Sequence, residues 1–203
     1  MQHRTIASLL CFALPVLMAG CSINVQKGKD GEDKKVKIDT PLGNIHVNAD
    51  KPSSSIGMAV YPGATPQPDH DGDKDADVQL GFGEWKMRVQ VAHYNSNDDQ
   101  QKVLAYYRKS LSRYGDVIEC KGNQPIGTPV RTSEGLTCEE EDHNNHINVD
   151  KDEHGLTLRA GSKRHQYIVA FDKDDVTAAG PTKFTLIALD LPAETWKKDR
   201  QTD

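Results

Sequence analysis

The chain is short of cysteine, of aromatic residues and of basic charge: 203 residues hold 4 cysteines, 6% aromatics and 25 Lys and Arg against 30 Asp and Glu. The resulting charge of −5 and a pI near 5.9 leave no basic stripe to neutralise phosphates, which argues against a nucleic-acid binder. Long apolar runs are scarce as well. Mean hydropathy is −0.67 and a single N-terminal segment is apolar enough to enter a bilayer, so a polytopic membrane protein is excluded. Neither a collagen-like nor a coiled-coil composition is present, and no internal repeat is evident. The chain also lacks a Gly-x-Ser-x-Gly elbow, a Walker-type phosphate loop, a Rossmann glycine fingerprint and a Ser-x-x-Lys site with its companion motifs. These absences favour a non-catalytic binding or scaffolding protein with no cofactor. An unrecognised hydrolase stays as an alternative, because catalytic groups distant in sequence meet only in three dimensions.

What is present at the N-terminus is a tripartite targeting signal over residues 1–20. Arg4 supplies a positive start, Ile6 to Met18 form an apolar core of about 13 residues, and small residues Ala19 and Gly20 precede Cys21. That core is too short to cross roughly 30 Å of hydrocarbon as a helix, and Pro15 within it disfavours a stable anchor helix. The run Leu17-Met18-Ala19-Gly20-Cys21 resembles the lipobox of bacterial lipoproteins, with Met18 where Leu is more usual. The resemblance covers about 22 residues. It implies that the signal is cut before Cys21, that the Cys21 sulfur carries a diacylglyceryl group, and that the new amino group is acylated by a palmitate-like chain. Several acyl chains anchor stably, since each buried CH₂ contributes about 0.8 kcal/mol while one chain alone is marginal. Ser22 after the cysteine resembles the outer-membrane sorting pattern, so the expected location is the cell envelope, on the outer membrane facing the periplasm. The expected partners are the membrane, through lipidated Cys21, and an envelope protein. Arg4 is the only charged residue among the first 20, so the mature chain carries −6.

Cysteine usage agrees with export. Cys11 lies in the signal and Cys21 in the lipid site, leaving Cys120 and Cys138, which in an oxidising compartment most simply form one disulfide. No Cys-x-x-Cys spacing supports a redox pair.

Residues 21–55 read as lipid anchor, a short hairpin-like β segment and a linker. Ile23-Asn24-Val25, Val36-Lys37-Ile38 and Ile45-His46-Val47 alternate, and Asp50-Lys51-Pro52-Ser53-Ser54-Ser55 is loop-like. Residues 56–192 read as one domain. Trp85, Met87, Val89 and Val91 alternate with Lys86, Arg88 and Gln90, marking a half-buried strand. A helix follows over about 97–114, with capping candidates at Ser96 to Asp99. Val103, Leu104, Tyr106, Tyr107, Leu111 and Tyr114 recur at spacings of mostly three and four and give one apolar face, and Gly115 stands at its end. Its tyrosines read as core residues whose hydroxyls reach the edge. Further strand-like runs occupy Asp116–Cys120, Leu136–Glu139, Ile147–Val149, Leu156–Arg159, Gln166–Phe171 and Lys183–Leu191, the last apolar on both faces and therefore central. Residues 193–203 form a polar tail. The predicted fold class is α+β, an antiparallel sheet packed on one main helix, with a β-rich anchor-proximal segment. The stretch Val60–Cys120 resembles modules in uncharacterised bacterial envelope proteins and brings no chemistry with it.

Two acidic clusters are the candidates for a cation. Asp69, Asp71, Asp73, Asp75 and Asp77 alternate around His70, and Asp71, Asp73 and Asp75 are the residues that would direct oxygens at a hard ion such as Ca²⁺. Neither register of this segment fits an EF-hand. The second cluster, Glu139 to Asp142 followed by His143 and His146, spaces two imidazoles for Zn²⁺ only if the backbone turns helically. A divalent-cation binder using segments 69–77 and 139–146 is therefore the other alternative, against the simpler reading of solvated acidic loops.

Overall fold

The structure is a computed structural model describing residues 21–27, 33–41, 43–48, 56–67, 75–138, 155–171 and 181–192. Alternating apolar and polar residues fold most of these into strands: β1 (Ser22–Lys27), β2 (Asp33–Thr40), β3 (Gly43–Asn48), β4 (Thr65–Pro66), β5 (Ala76–Phe82), β6 (Trp85–Ser96), β7 (Val117–Lys121), β8 (Gln124–Ile126), β9 (Leu156–Gly161), β10 (His165–Phe171) and β11 (Thr182–Asp190). One helix, α1 (Gln100–Leu111), lies between β6 and β7 and runs into a 3₁₀ turn at Ser112–Tyr114. All pairings are antiparallel, in the order β1-β2-β3-β5-β6-β11-β10-β9-β7-β8, with β4 continuing the β5 lane along β6. The described residues are thus mostly antiparallel sheet with one helix, and richer in strand than a sheet on one main helix implies. The reason is that residues 22–48 supply three full strands. β3 pairs with β5 from Asn44 opposite Gly81 to Asn48 opposite Asp77, so these strands extend the same sheet.

The centre of the sheet is the β6–β11 pair, matched along all nine residues of β11. The apolar character of β11 on both faces follows from its position between β6 and β10. The run at 136–138 is not a strand; it closes a turn through the Arg131–Thr137 bridge.

Asp99 starts α1, its carboxylate accepting the Lys102 N–H at 2.9 Å. Basic residues Arg108 and Lys109 occupy its last turn, where the helix dipole favours them. The apolar stripe Val103, Leu104, Tyr107 and Leu111 is buried against Ala92 and Tyr94 of β6, Phe184 and Leu186 of β11, Val169 and Phe171 of β10, and Leu158 and Ala160 of β9. Each such side chain contributes roughly 2 kcal/mol on leaving water. Gly115 adopts φ 122° beyond the 3₁₀ turn and its N–H bonds the Ser112 carbonyl.

The outer flank of α1 is strapped by the segment 56–67. Tyr107 Oη accepts the Tyr61 N–H at 3.0 Å, Tyr106 donates to the Val60 carbonyl at 3.3 Å, and Tyr114 donates to the Gly57 carbonyl at 2.6 Å. Tyr61 in turn donates to Asp98 at 2.8 Å. Three tyrosines, two of α1 and one of the 3₁₀ turn, therefore place their rings in apolar contact while spending their hydroxyls on the strap, which buries Ile56 and Met58.

On the other side of the sheet Cys120 and Cys138 form the disulfide, enclosed with Ile118 and Leu136 in a small separate core. Closing this loop, 18 residues apart in sequence, removes chain entropy equivalent to about 3 kcal/mol.

Burial pushes the Tyr94 phenol up to about 12, with the charge of Asp75 adding to it, and it raises Tyr107 still further. Both rings must therefore stay protonated to remain packed, so their contribution is complete below the ordinary phenol range and is lost as pH rises through the folded values. Urea unfolding should show stability steady up to about pH 9 and falling from about pH 10 upward. Tyr94→Phe should flatten part of that fall. An unchanged alkaline limb in this variant would contradict the assignment.

Candidate functional site

Because the pairings hold their register, with one irregularity at Gln26/Lys27 of β1, the period-two alternation sorts side chains onto two faces across strands distant in sequence. On the face away from α1, Ile23, Ile38, Ile45, Leu80 and Met87 form one transverse row, and Val25, Val36, Val47, Val78, Val89 and Leu189 form the next. On the α1 face the same strands present Asn44, His46, Asn48, Asp77, Gln79, Lys86, Arg88 and Gln90. The helix covers β6 through β9 on that face; beyond it Asn44, His46, Gln79, Lys86 and Arg88 line an open groove of about 630 Å³.

The groove floor is built by β2, β3, β5 and β6, with Asp190 of β11 entering beside Arg88. Its fixed point is an ion pair. Asp77, 3% exposed, receives two hydrogen bonds from Arg88, Nε to Oδ1 at 2.9 Å and Nη2 to Oδ2 at 2.8 Å. These bonds raise the Arg88 guanidinium above its ordinary value against the opposing effect of burial. Such a fork holds a guanidinium plane rigidly, so Arg88 presents a fixed cationic surface to the groove. At the other side His46 Nε2 lies 3.2 Å from Asp39, and this contact holds the Asp39 carboxyl below the usual range despite some desolvation, with Lys37 assisting. His165 Nδ1 bonds Asp190 at 2.8 Å. Amides of Asn44 and Gln79 and the Lys86 ammonium complete the lining.

Chemically the groove offers charges of both signs and amide donors and acceptors on a half-open floor, which suits a polar ligand. Its one hydroxyl, Thr40, is committed to the β2–β3 turn, donating to the Gly43 carbonyl at 2.8 Å and accepting the Gly43 N–H at 3.1 Å. Each lining imidazole or neighbouring imidazole is oriented by a carboxylate, and among the described residues no nucleophile is aligned on it. Gly43 is required here: a Cβ at this position would collide with the Gly81 carbonyl and the Phe82 ring.

The residues singled out in the sequence fall elsewhere. Cys21 is exposed, carries a free thiol and stands immediately before β1. Cys120 and Cys138 are joined and buried. Asp75 accepts the His93 backbone N–H at 2.8 Å and lies 3.5 Å from His93 Nδ1, fixing the start of β5 to β6. Asp71 and Asp73, the cluster 139–146, the signal 1–20 and the tail 193–203 lie outside the described residues. Among the described residues no group of three His, Cys, Asp or Glu side chains is placed to hold a metal ion, and no helix is long and apolar enough to cross a membrane. The groove itself was missed in the sequence, since its residues come from five strands and form no motif. The one usable signal was polar residues at alternate positions of strands whose other positions are β-branched.

No protein family, curated protein or solved structure matches the chain.

Arg88→Leu leaves the buried Asp77 carboxylate without its guanidinium and should cost about 3 kcal/mol in urea unfolding. The double variant Asp77→Leu/Arg88→Leu should recover most of that loss, because it removes the buried charge together with its partner. A single variant within about 0.5 kcal/mol of wild type would show that the pair does not hold the floor.

Proposed function

We propose that this chain is a lipid-anchored cell-envelope protein, held on the outer membrane and facing the periplasm, which binds a polar ligand or an envelope partner without catalysing a reaction. The observation that carries the reading is the position of Cys21. It is exposed, it is outside the disulfide, and β1 begins at the next residue. The register Ser22–Asp39, Asn44–Gly81 and Gly81–Lys86 puts Cys21, the β2–β3 turn and the β5–β6 turn at one end of the sheet. The groove opens among those same turns. An acylated Cys21 therefore sets the groove close to the bilayer, where a membrane-proximal ligand or partner meets it.

Metabolic labelling with a palmitate analogue tests the anchor directly. Wild type should incorporate the label and float with membranes, and Cys21→Ala should do neither. Equal labelling of the two proteins, or labelling of neither, would contradict the anchor. A photo-crosslinking residue at Gln79, on the groove floor, should capture a reproducible envelope partner or ligand in intact cells, whereas the same residue at exposed Asn97 should not.

A further inference from the structure

We infer that the anchored end of the sheet is itself a lipid-contacting surface, in which Ile23, Phe82 and Trp85 enter the bilayer interface. The inference rests on the proposed acylation of Cys21 and extends it from a tether to an oriented contact.

Three observations support it. Ile23 is 68% exposed and Phe82 48% exposed, the two most solvent-exposed large apolar side chains at this end of the sheet. They share one face, because Ile23 is opposite Ile38, Ile38 opposite Ile45, Ile45 opposite Leu80, and Phe82 follows Leu80 by two positions. Trp85 is directly opposite Phe82, with ring centroids 5.8 Å apart, so the hairpin tip carries an aromatic pair.

The location of the anchor selects the occupant. With β1 starting at Ser22, no spacer separates the acylated residue from the sheet, and the Ser22 end of β1 is the end that carries the Phe82–Trp85 tip. The distance between the β1 and β5 lanes is about 14 Å, three strand spacings. Acyl chains at Cys21 therefore bring the tip to interfacial depth with little further cost in chain entropy. The Trp85 indole, with an apolar body and a polar N–H, favours that layer. The nearby charges are of both signs, Lys86 and Arg88 against Asp39, Glu84 and Asp190, so apolar contact drives the insertion and salt has little influence on it.

The test uses the chain from Cys21 onward, which contains every described residue, with Trp196→Phe so that Trp85 is the sole tryptophan. Coupling the Cys21 thiol to a maleimide-headgroup lipid in phosphatidylcholine vesicles supplies the tether without relying on acylation in cells. The failure of the anchor in vivo and the failure of this contact are thereby separate results. In vesicles with brominated acyl chains Trp85 emission should fall by about two-fold or more relative to plain vesicles, at low and high salt alike. Phe82→Asp should abolish most of that quenching. Tethering instead through Asn97→Cys in a Cys21→Ser chain, at the opposite end of β6, should leave Trp85 unquenched. Equal emission in brominated and plain vesicles would overturn the inference. So would equal quenching from the Asn97 tether, or a Trp85 already shielded from iodide by self-association before any vesicle is added.

Discussion

One helix cannot cover this sheet, and most of the architecture follows from that mismatch. α1 has 12 residues, so it is about 18 Å long and about 10–12 Å across with its side chains. Ten strand lanes in series at about 4.8 Å each span more than 40 Å. The helix therefore shields the lanes from β6 to β9, and the remaining half of that face must satisfy water. It does so with Asn44, His46, Gln79, Lys86 and Arg88, residues that in a covered sheet would need apolar replacements. The groove is the consequence of uncovered area on a face patterned for solvent.

The buried Asp77–Arg88 fork is where the two regimes meet. It stands at the margin of the helix-covered core, next to buried Gln90, and the guanidinium links the dry side to the groove. A paired buried carboxylate of this kind stabilises little relative to an apolar pair, yet breaking it is costly. Its value is positional, since it fixes one cation on an otherwise open floor. The tyrosine strap does the corresponding work on the outer flank of α1, tying the backbone at Gly57, Val60 and Tyr61 down through three hydroxyls.

Local pattern was legible and long-range pairing was not. The capping candidates Ser96 to Asp99 and the spacing of Val103, Leu104, Tyr107 and Leu111 announce α1, with its start placed about three residues early and its end carried through the 3₁₀ turn, because helix signals lie within one segment. The disulfide followed from counting cysteines in a chain whose N-terminus reads as an export signal. In β6, however, the alternation of Trp85, Met87, Val89 and Val91 marks a strand without saying which side the helix takes. The helix packs on Ala92 and Tyr94, and Tyr94 stacks on Phe184. Nothing in Ile45-His46-Val47 names Val78 and Leu80 as its neighbours across a gap of some thirty residues. The groove was invisible for the same reason: its members are adjacent only after β2, β3, β5, β6 and β11 are assembled.

The claim on which all of this depends is that β1–β3 are integral to the sheet through the β3–β5 pairing. Amide hydrogen exchange of the folded protein measures it most directly. Ile45 and Val47 in β3 should exchange orders of magnitude more slowly than a free chain and within the range of the β5 amides they pair with. Exchange of the β3 amides at unprotected rates, with β6 and β11 fully protected, would contradict the account.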